Sequence, residues 1–241
     1  MKTTNKNYNF EKSLERIDKI LNSNDNNYVE NGNKIPSREK LTFTNGFYVD
    51  VSAIFVDIRD SSSLSNLHRR PTLAKIYRSF ISEVVAIMNG ESNCNEINII
   101  GDCVSGVFET QTKTDIDNLF STACRINALI EIINCKLTKR NIKNIKVGIG
   151  IDDGRALMIK AGHKGSEINE IVWMGDVVNN ASNLCNNANR FNSKAILVSK
   201  EIYGDLNSHN KKCFSWNFNY SCYESNAVIS FMNDWLNENC R

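Results

Sequence analysis

Apolar residues recur along the chain in two rhythms, and the change of rhythm marks the elements. From Tyr48 to Ile58 they form a run rich in Val, Ile and Phe, the pattern of a strand, which delivers Asp57 to the edge of a Ser-rich turn, Asp60-Ser-Ser-Ser63. Ahead of it, Phe10, Leu14, Ile17, Ile20 and Leu21 fall at helical spacing and predict an amphipathic helix over 10–21, after a start (residues 1–9) that reads as disordered. The Asn/Asp-rich stretch 22–33, with Pro36 beyond it, breaks that pattern into a loop. The Ser-rich turn leads into a predicted helix, and a long helix follows over 72–88, closed by Asn89-Gly90. Two short β runs then surround Gly101-Asp102, the turn of a hairpin. A second long helix, about 115–134, carries Ile116, Leu119, Phe120, Ala123, Ile126 and Leu129 on one face.

In the second half, residues 144–152 alternate as a strand and close on Asp152-Asp153-Gly154, which predicts a turn into a hairpin with 155–161. Residues 170–176 read as a loop or short strand, followed by a helix over 177–185 with Asp176 as its N-cap, and a buried strand over 195–198. The aromatics of the tail, Trp216, Tyr220, Tyr223, Phe231 and Trp235, read as core or interface. A chain of 241 residues fits one domain with additions: an N-terminal helix and flexible loop over 1–44, then the main domain over 45–241.

Composition narrows the partners little. A net charge of +2 with scattered Lys and Arg gives no argument for nucleic acid or a membrane surface. No apolar run approaches the roughly 18 residues of a membrane span, and the polar start lacks a signal peptide's hydrophobic region, so a cytoplasmic location is expected. The eight cysteines include no Cys-x-x-Cys pair and read as reduced, mostly packed thiols, with no zinc site.

The candidate chemistry lies in two aspartates. Asp57 ends a strand beside a turn whose backbone N–H groups face any anion bound there, a pairing suited to a metal-bound phosphate. Asp102 brings a second acid to a sheet rim. Each alone reads more readily as a turn former; together they are a candidate pair of metal ligands.

Four segments in order carry a resemblance. Phe55-Val-Asp57-Ile58-Arg59 resembles the first metal motif of the class III nucleotide cyclases, the adenylate and guanylate cyclase catalytic domains, and Ile100-Gly101-Asp102 is similar to the second. Val147-Gly-Ile-Gly-Ile151-Asp-Asp-Gly154 is similar to their central hairpin, and Gly175-Asp-Val-Val-Asn179-Asn-Ala181-Ser182 to the helix bearing their transition-state Asn. The resemblance spans residues 48–200. It implies an α+β, ferredoxin-like fold with a central, mostly antiparallel sheet flanked by helices. It also implies a homodimer with active sites at the interface, one subunit giving the aspartates and the other the base-reading and transition-state residues. Two divalent cations, Mn²⁺ or Mg²⁺, would be held by Asp57, Asp102 and the carbonyl of Ile58, and phosphates by the backbone N–H groups of Asp60, Ser61 and Ser62.

The departures concern substrate and rate. The family's purine readers correspond to Asn98 and Val172, where neither the adenine nor the guanine pattern stands. A neutral amide suits a pyrimidine edge equally well. Trp173 either fills space that a purine needs or is a packed loop tryptophan. The family's catalytic Arg, four residues after Asn179, is Asn183 here. Arg190 lies on roughly the same face if the helix persists, and is either a substitute or a solvated surface charge. The family's C-terminal phosphate-binding Lys is not identifiable. This combination is most similar to the bacterial Pycsar pyrimidine cyclases, which implies cyclic UMP or cyclic CMP synthesis in anti-phage defence, UTP being favoured over CTP. The alternative is a degenerate cyclase domain that binds a nucleotide or a partner without turnover.

Overall fold

The computed structural model describes residues 3, 5, 7–165 and 168–240. Its elements run α1 (Phe10–Leu21), β1 (Tyr28–Glu30), β2 (Gly46–Ile58), α2 (Ser61–Leu67), α3 (Arg70–Asn89), β3 (Cys94–Ile100), β4 (Cys103–Phe108) and α4 (Lys113–Thr138). They continue with β5 (Val147–His163), β6 (Ile168–Met174), α5 (Asp176–Asn187), β7 (Ile196–Val198), α6 (Lys200–Asp205), α7 (Ser208–Lys211), β8 (Ser215–Asn217), β9 (Cys222–Ser225) and α8 (Ser230–Cys240). The strands form one sheet in the order β3-β4-β2-β5-β7-β9-β8, with β1 added to β2 and β6 to β5. Two of its pairings, β1–β2 and β5–β7, are parallel and the others antiparallel, as the α+β expectation requires.

Alternation along β2 sorts its side chains onto two faces. Ile54, Val56 and Ile58 join Ile76, Phe80 and Val84 of α3 and Ile116, Leu119 and Ile126 of α4 in the larger core. Each such side chain contributes about 1.5–3 kcal/mol on burial. Val49, Val51 and Ala53 face the other way, where they meet Met158, Ile171, Trp173 and, from α5, Val177 and Ala181. The two long helices predicted from apolar spacing are thus the ones that cover one face.

One predicted turn is absent. β5 runs unbroken through Asp152-Asp153-Gly154 and pairs with β2 from Gly46↔Ile159 to Ile58↔Val147; the reversal into β6 falls between His163 and Ile168. The Asp-Gly turn signal is overridden because both carboxylates are used inside the fold. Asp153 accepts hydrogen bonds from Ser52 (2.5 Å) and Thr110 (3.1 Å), and Asp152 is buried. A second correction concerns α5: its N-cap is Gly175, at φ 149°, and Asp176 is the first helical residue, where its charge complements the helix N-terminus without capping it.

Six cysteines are free, but Cys135 and Cys240 are joined as a disulfide linking α4 to α8, which corrects the expectation of eight reduced thiols. The predicted α1 is present and none of its residues is buried. No helix among the described residues is long and apolar enough to cross a membrane.

Glycine decides how closely α5 approaches the sheet. A Cβ on Gly150 would lie 2.1 Å from the Cys185 nitrogen and 2.2 Å from the Ala181 carbonyl oxygen, so any side chain there lifts α5 off β5. Gly150→Ala is expected to destabilise the fold by about 1–3 kcal/mol or more, the cost of overpacking a tight contact. Urea denaturation reads this as a lower midpoint; an unchanged midpoint would mean that α5 is not seated this closely.

Candidate active site

The sheet register brings the two acids together. Asp57 is paired with Cys103 on one side and Gly148 on the other, and Ile100↔Cys103 closes the β3–β4 hairpin over the two-residue turn Gly101-Asp102. Gly101 takes φ 64°, a conformation glycine adopts without strain, and this two-residue turn places Asp102 next in the chain to the residue that pairs with Asp57. Burial raises the Asp57 carboxyl above its ordinary value; Arg59 opposes that shift, Asp102 adds to it, and Arg190 lowers it. Two carboxylates that repel at a half-buried rim form a site that favours a cation between them.

Arg59, two residues on from Asp57, is the main local counterweight. Its buried guanidinium donates from Nη2 to Asp57 Oδ2 (2.7 Å), and from Nη1 to the carbonyl of Asn186 near the end of α5 (3.0 Å). The ion pair occupies one carboxylate oxygen and orients the other. Gly148 makes room mainly for the end of α5, since a Cβ there would stand 2.5 Å from the Cys185 carbonyl oxygen and 2.8 Å from that of Ala188, and next for Arg59, whose Cζ would lie 3.0 Å away. An arginine two residues after a strand-end aspartate was the available sequence signal for this role.

The donor set suits a hard cation. Asp57 and Asp102 would supply carboxylate oxygens to a divalent ion such as Mg²⁺ or Mn²⁺, which ordinarily needs only one or two protein carboxylates beside water and phosphate. Ile58 packs its side chain into the core beneath them. Asp60, in a left-handed conformation at φ 53°, starts the short α2, with Ser61 and Ser62 in its first turn.

The remaining candidate residues divide by location. Asn98 shares a sheet face with Asp57, because Phe55 pairs with Ser105 and Ser105 with Asn98. Val172 lies on the exposed side of β6, and Trp173 on the buried side. Trp173 is packed among Met158, Ile171 and Val177, and its Nε1 donates to Glu96 (3.3 Å). Asn179 is exposed in the first turns of α5, roughly 10 Å along the helix from the Asn186 carbonyl that holds Arg59. Within one subunit, therefore, Asn179 does not reach Asp57 by way of α5. Arg190 does not extend that helix, which ends at Asn187; this corrects the expectation of a shared helical face. Its guanidinium instead stands 3.9 Å from Asp60.

Glu96 was missed in the sequence, where it reads as a solvated strand residue. It is 5% exposed, two residues before Asn98, and bonded to the residue after Val172. Arg38 lies 3.0 Å from its Oε1 as an ion pair but off the line of a hydrogen bond, so that oxygen is buried without one. A cavity of about 690 Å³, lined by Lys34, Arg38, Lys40 and Glu96, opens beside it.

Residues 44–225 match the adenylate and guanylate cyclase catalytic domain, and the chain belongs to that family: it is a nucleotide cyclase, a phosphorus–oxygen lyase. Among its relatives is the uridylate cyclase of Treponema porcinum, 41% identical over 235 residues, covering 96% of this chain and 82% of the relative. The uridylate cyclase of Gulbenkiania mobilis is 39% identical and covers 99% of this chain and 100% of the relative. The adenylyl cyclase CyaB from P. aeruginosa shares the fold, with a TM-score of 0.63 at 20% identity over 77% of this chain and 97% of that one.

Glu96 generates a pH prediction. Burial raises its carboxyl above the ordinary 4.5, against the opposing pull of Arg38 and the Trp173 hydrogen bond. A carboxyl with the higher value when folded binds its proton more tightly in the folded state. Stability is then lost as pH rises from the ordinary value through the folded one. Glu96→Gln keeps an acceptor for Trp173 and removes the charge, so its unfolding free energy in urea is expected to fall less steeply than wild type over that window. Parallel slopes for the two proteins would show that the carboxyl is not perturbed.

Proposed function

We propose that the protein converts a pyrimidine nucleoside triphosphate, UTP in preference to CTP, into the 3′,5′-cyclic nucleotide and pyrophosphate, as a second messenger in anti-phage defence. The observation that carries the reading is the pairing of Asp57 with Cys103, which sets Asp102 against Asp57 at one rim. The choice of pyrimidine rests on the full-length relatives named uridylate cyclase and on Asn98 and Val172 at the positions of the purine readers. The catalytic unit is residues 45–241, acting in the cytoplasm without nucleic-acid or membrane partners.

Asp57, Asp102 and the Ile58 carbonyl hold two divalent cations, and the backbone N–H groups of Asp60, Ser61 and Ser62 hold phosphate oxygens. Bound there, the cations would activate the ribose 3′-OH and offset the charge of departing pyrophosphate. Arg59 keeps Asp57 oriented for this role. Asn179, with Asn98 and Val172, comes from the second subunit of a homodimer, and Trp173 packs behind them in that subunit's core. An exposed apolar residue at the rim supports such an interface: Ile100 is 76% exposed beside Asp102. Arg190 supplies positive charge to the phosphates. Asn183 in place of the family's Arg favours the second reading, a domain that binds nucleotide without turnover.

Incubation with ATP, GTP, CTP and UTP separately, in Mn²⁺, decides between the two. Cyclic UMP as the main product is expected, with Asp57→Ala and Asp102→Ala each lowering turnover by roughly 10²–10³-fold or more while the fold and dimer persist. Absence of any cyclic product would remove the enzyme reading, and cyclic AMP would remove the pyrimidine one.

A further inference from the structure

The loss of the family's arginine at position 183 raises the question of where the compensating charge lies. A triphosphate brings about four negative charges, and Asp57, Asp60 and Asp102 add to them. Even two divalent cations leave that rim short of positive charge. We propose that Arg190 acts in cis, on the phosphates of the nucleotide held by its own subunit's Asp57 and Asp102, and not across the interface on the partner's nucleotide. The proposal rests on the cyclase reading above and assigns the subunit from which this residue acts.

Three observations place it there. First, α5 ends at Asn187 and the chain turns, with Ala188 extended and Asn189 at φ 55°, so Arg190 leaves the helical face that carries Asn179 and Asn183. Second, Arg190 Nε donates to the carbonyl of Asn186 (2.8 Å), the same oxygen that accepts from Arg59 Nη1 (3.0 Å). One carbonyl thus anchors both arginines, and the other end of Arg59 is on Asp57. Third, the turn holding Arg190 is braced: the Asn189 side chain donates to the Val147 carbonyl (2.9 Å), and Ser193 Oγ donates to the Asn187 carbonyl (2.6 Å) and accepts from the Arg190 N–H (3.1 Å). The guanidinium is therefore delivered to the metal rim of the same chain, 3.9 Å from Asp60 Oδ1.

The contact to Asp60 is exposed on both sides and long for an ion pair, so it contributes little to stability. It is easily exchanged for a phosphate, whose oxygens match the planar fork of a guanidinium. Arg190 is in this account a catalytic residue that touches the phosphates, with Arg59 as a positioning residue beneath it.

Heterodimers test the assignment. Subunits carrying different affinity tags are co-expressed and purified through both tags, so that each dimer contains one of each variant. When Asp57→Ala is paired with Asn179→Ala, one composite site keeps both groups, and about half of the wild-type turnover per dimer is expected. When Asp57→Ala is paired with Arg190→Ala, action in cis leaves each site short of one group. Turnover then stays at the background of the Arg190→Ala homodimer, roughly 10²–10³-fold below wild type. Recovery of half the wild-type rate in this second heterodimer would place Arg190 in trans and overturn the proposal, as would an Arg190→Ala homodimer of wild-type activity. If the first heterodimer is also inactive, sites are not shared between subunits and the dimer reading fails, while an impaired Arg190→Ala homodimer still upholds action in cis.

Discussion

Asp57 sits between Cys103 and Gly148 in the sheet, and this register connects the sequence to its chemistry. The β2–β4 pairing carries Asp102 to it across a two-residue turn. The β2–β5 pairing puts a glycine opposite it, and the missing side chain at Gly148 lets the end of α5 close on the strand, with the Arg59 guanidinium bridging the carboxylate and the Asn186 carbonyl. A one-residue slip of β2 would turn Asp57 into the core and Val56 toward the rim, and both the apolar packing and the candidate metal pair would be lost together. Stability and function therefore select the same register.

The apolar rhythms disclosed the elements well where burial decides them. β2, α3 and α4 follow their periodicity because one face of each enters the same core. The errors arose where local signals compete with distant partners. Asp153-Gly154 reads as a turn, yet the carboxylates there are consumed by Ser52 and Thr110 and by the α5 side of the sheet, and the strand runs straight through. Asp176 reads as a cap, yet Gly175 takes that position with a backbone conformation no aspartate adopts readily. Arg190 reads as a later turn of α5, yet a left-handed Asn189 ends that course and redirects the side chain toward Asp60.

The acids of the candidate site were legible because their strand-end positions and order along the chain are local facts. Their supporting groups were not. Glu96 looks like any polar residue on an edge strand, and only the tertiary fold buries it between Trp173 and Arg38. That cluster lies beside Asn98 and Val172, so these two candidate base-contacting residues are backed by a buried charge and a packed indole.

On the reading proposed above, Asp57 and Asp102 together hold divalent cations around a nucleotide. Calorimetric titration of Mn²⁺ into the protein with 3′-deoxy-UTP, which cannot cyclise, tests it without relying on turnover. Two Mn²⁺ ions per nucleotide are predicted, with binding weakened sharply in both Asp57→Asn and Asp102→Asn. Mn²⁺ binding of wild-type strength in either variant would contradict the claim.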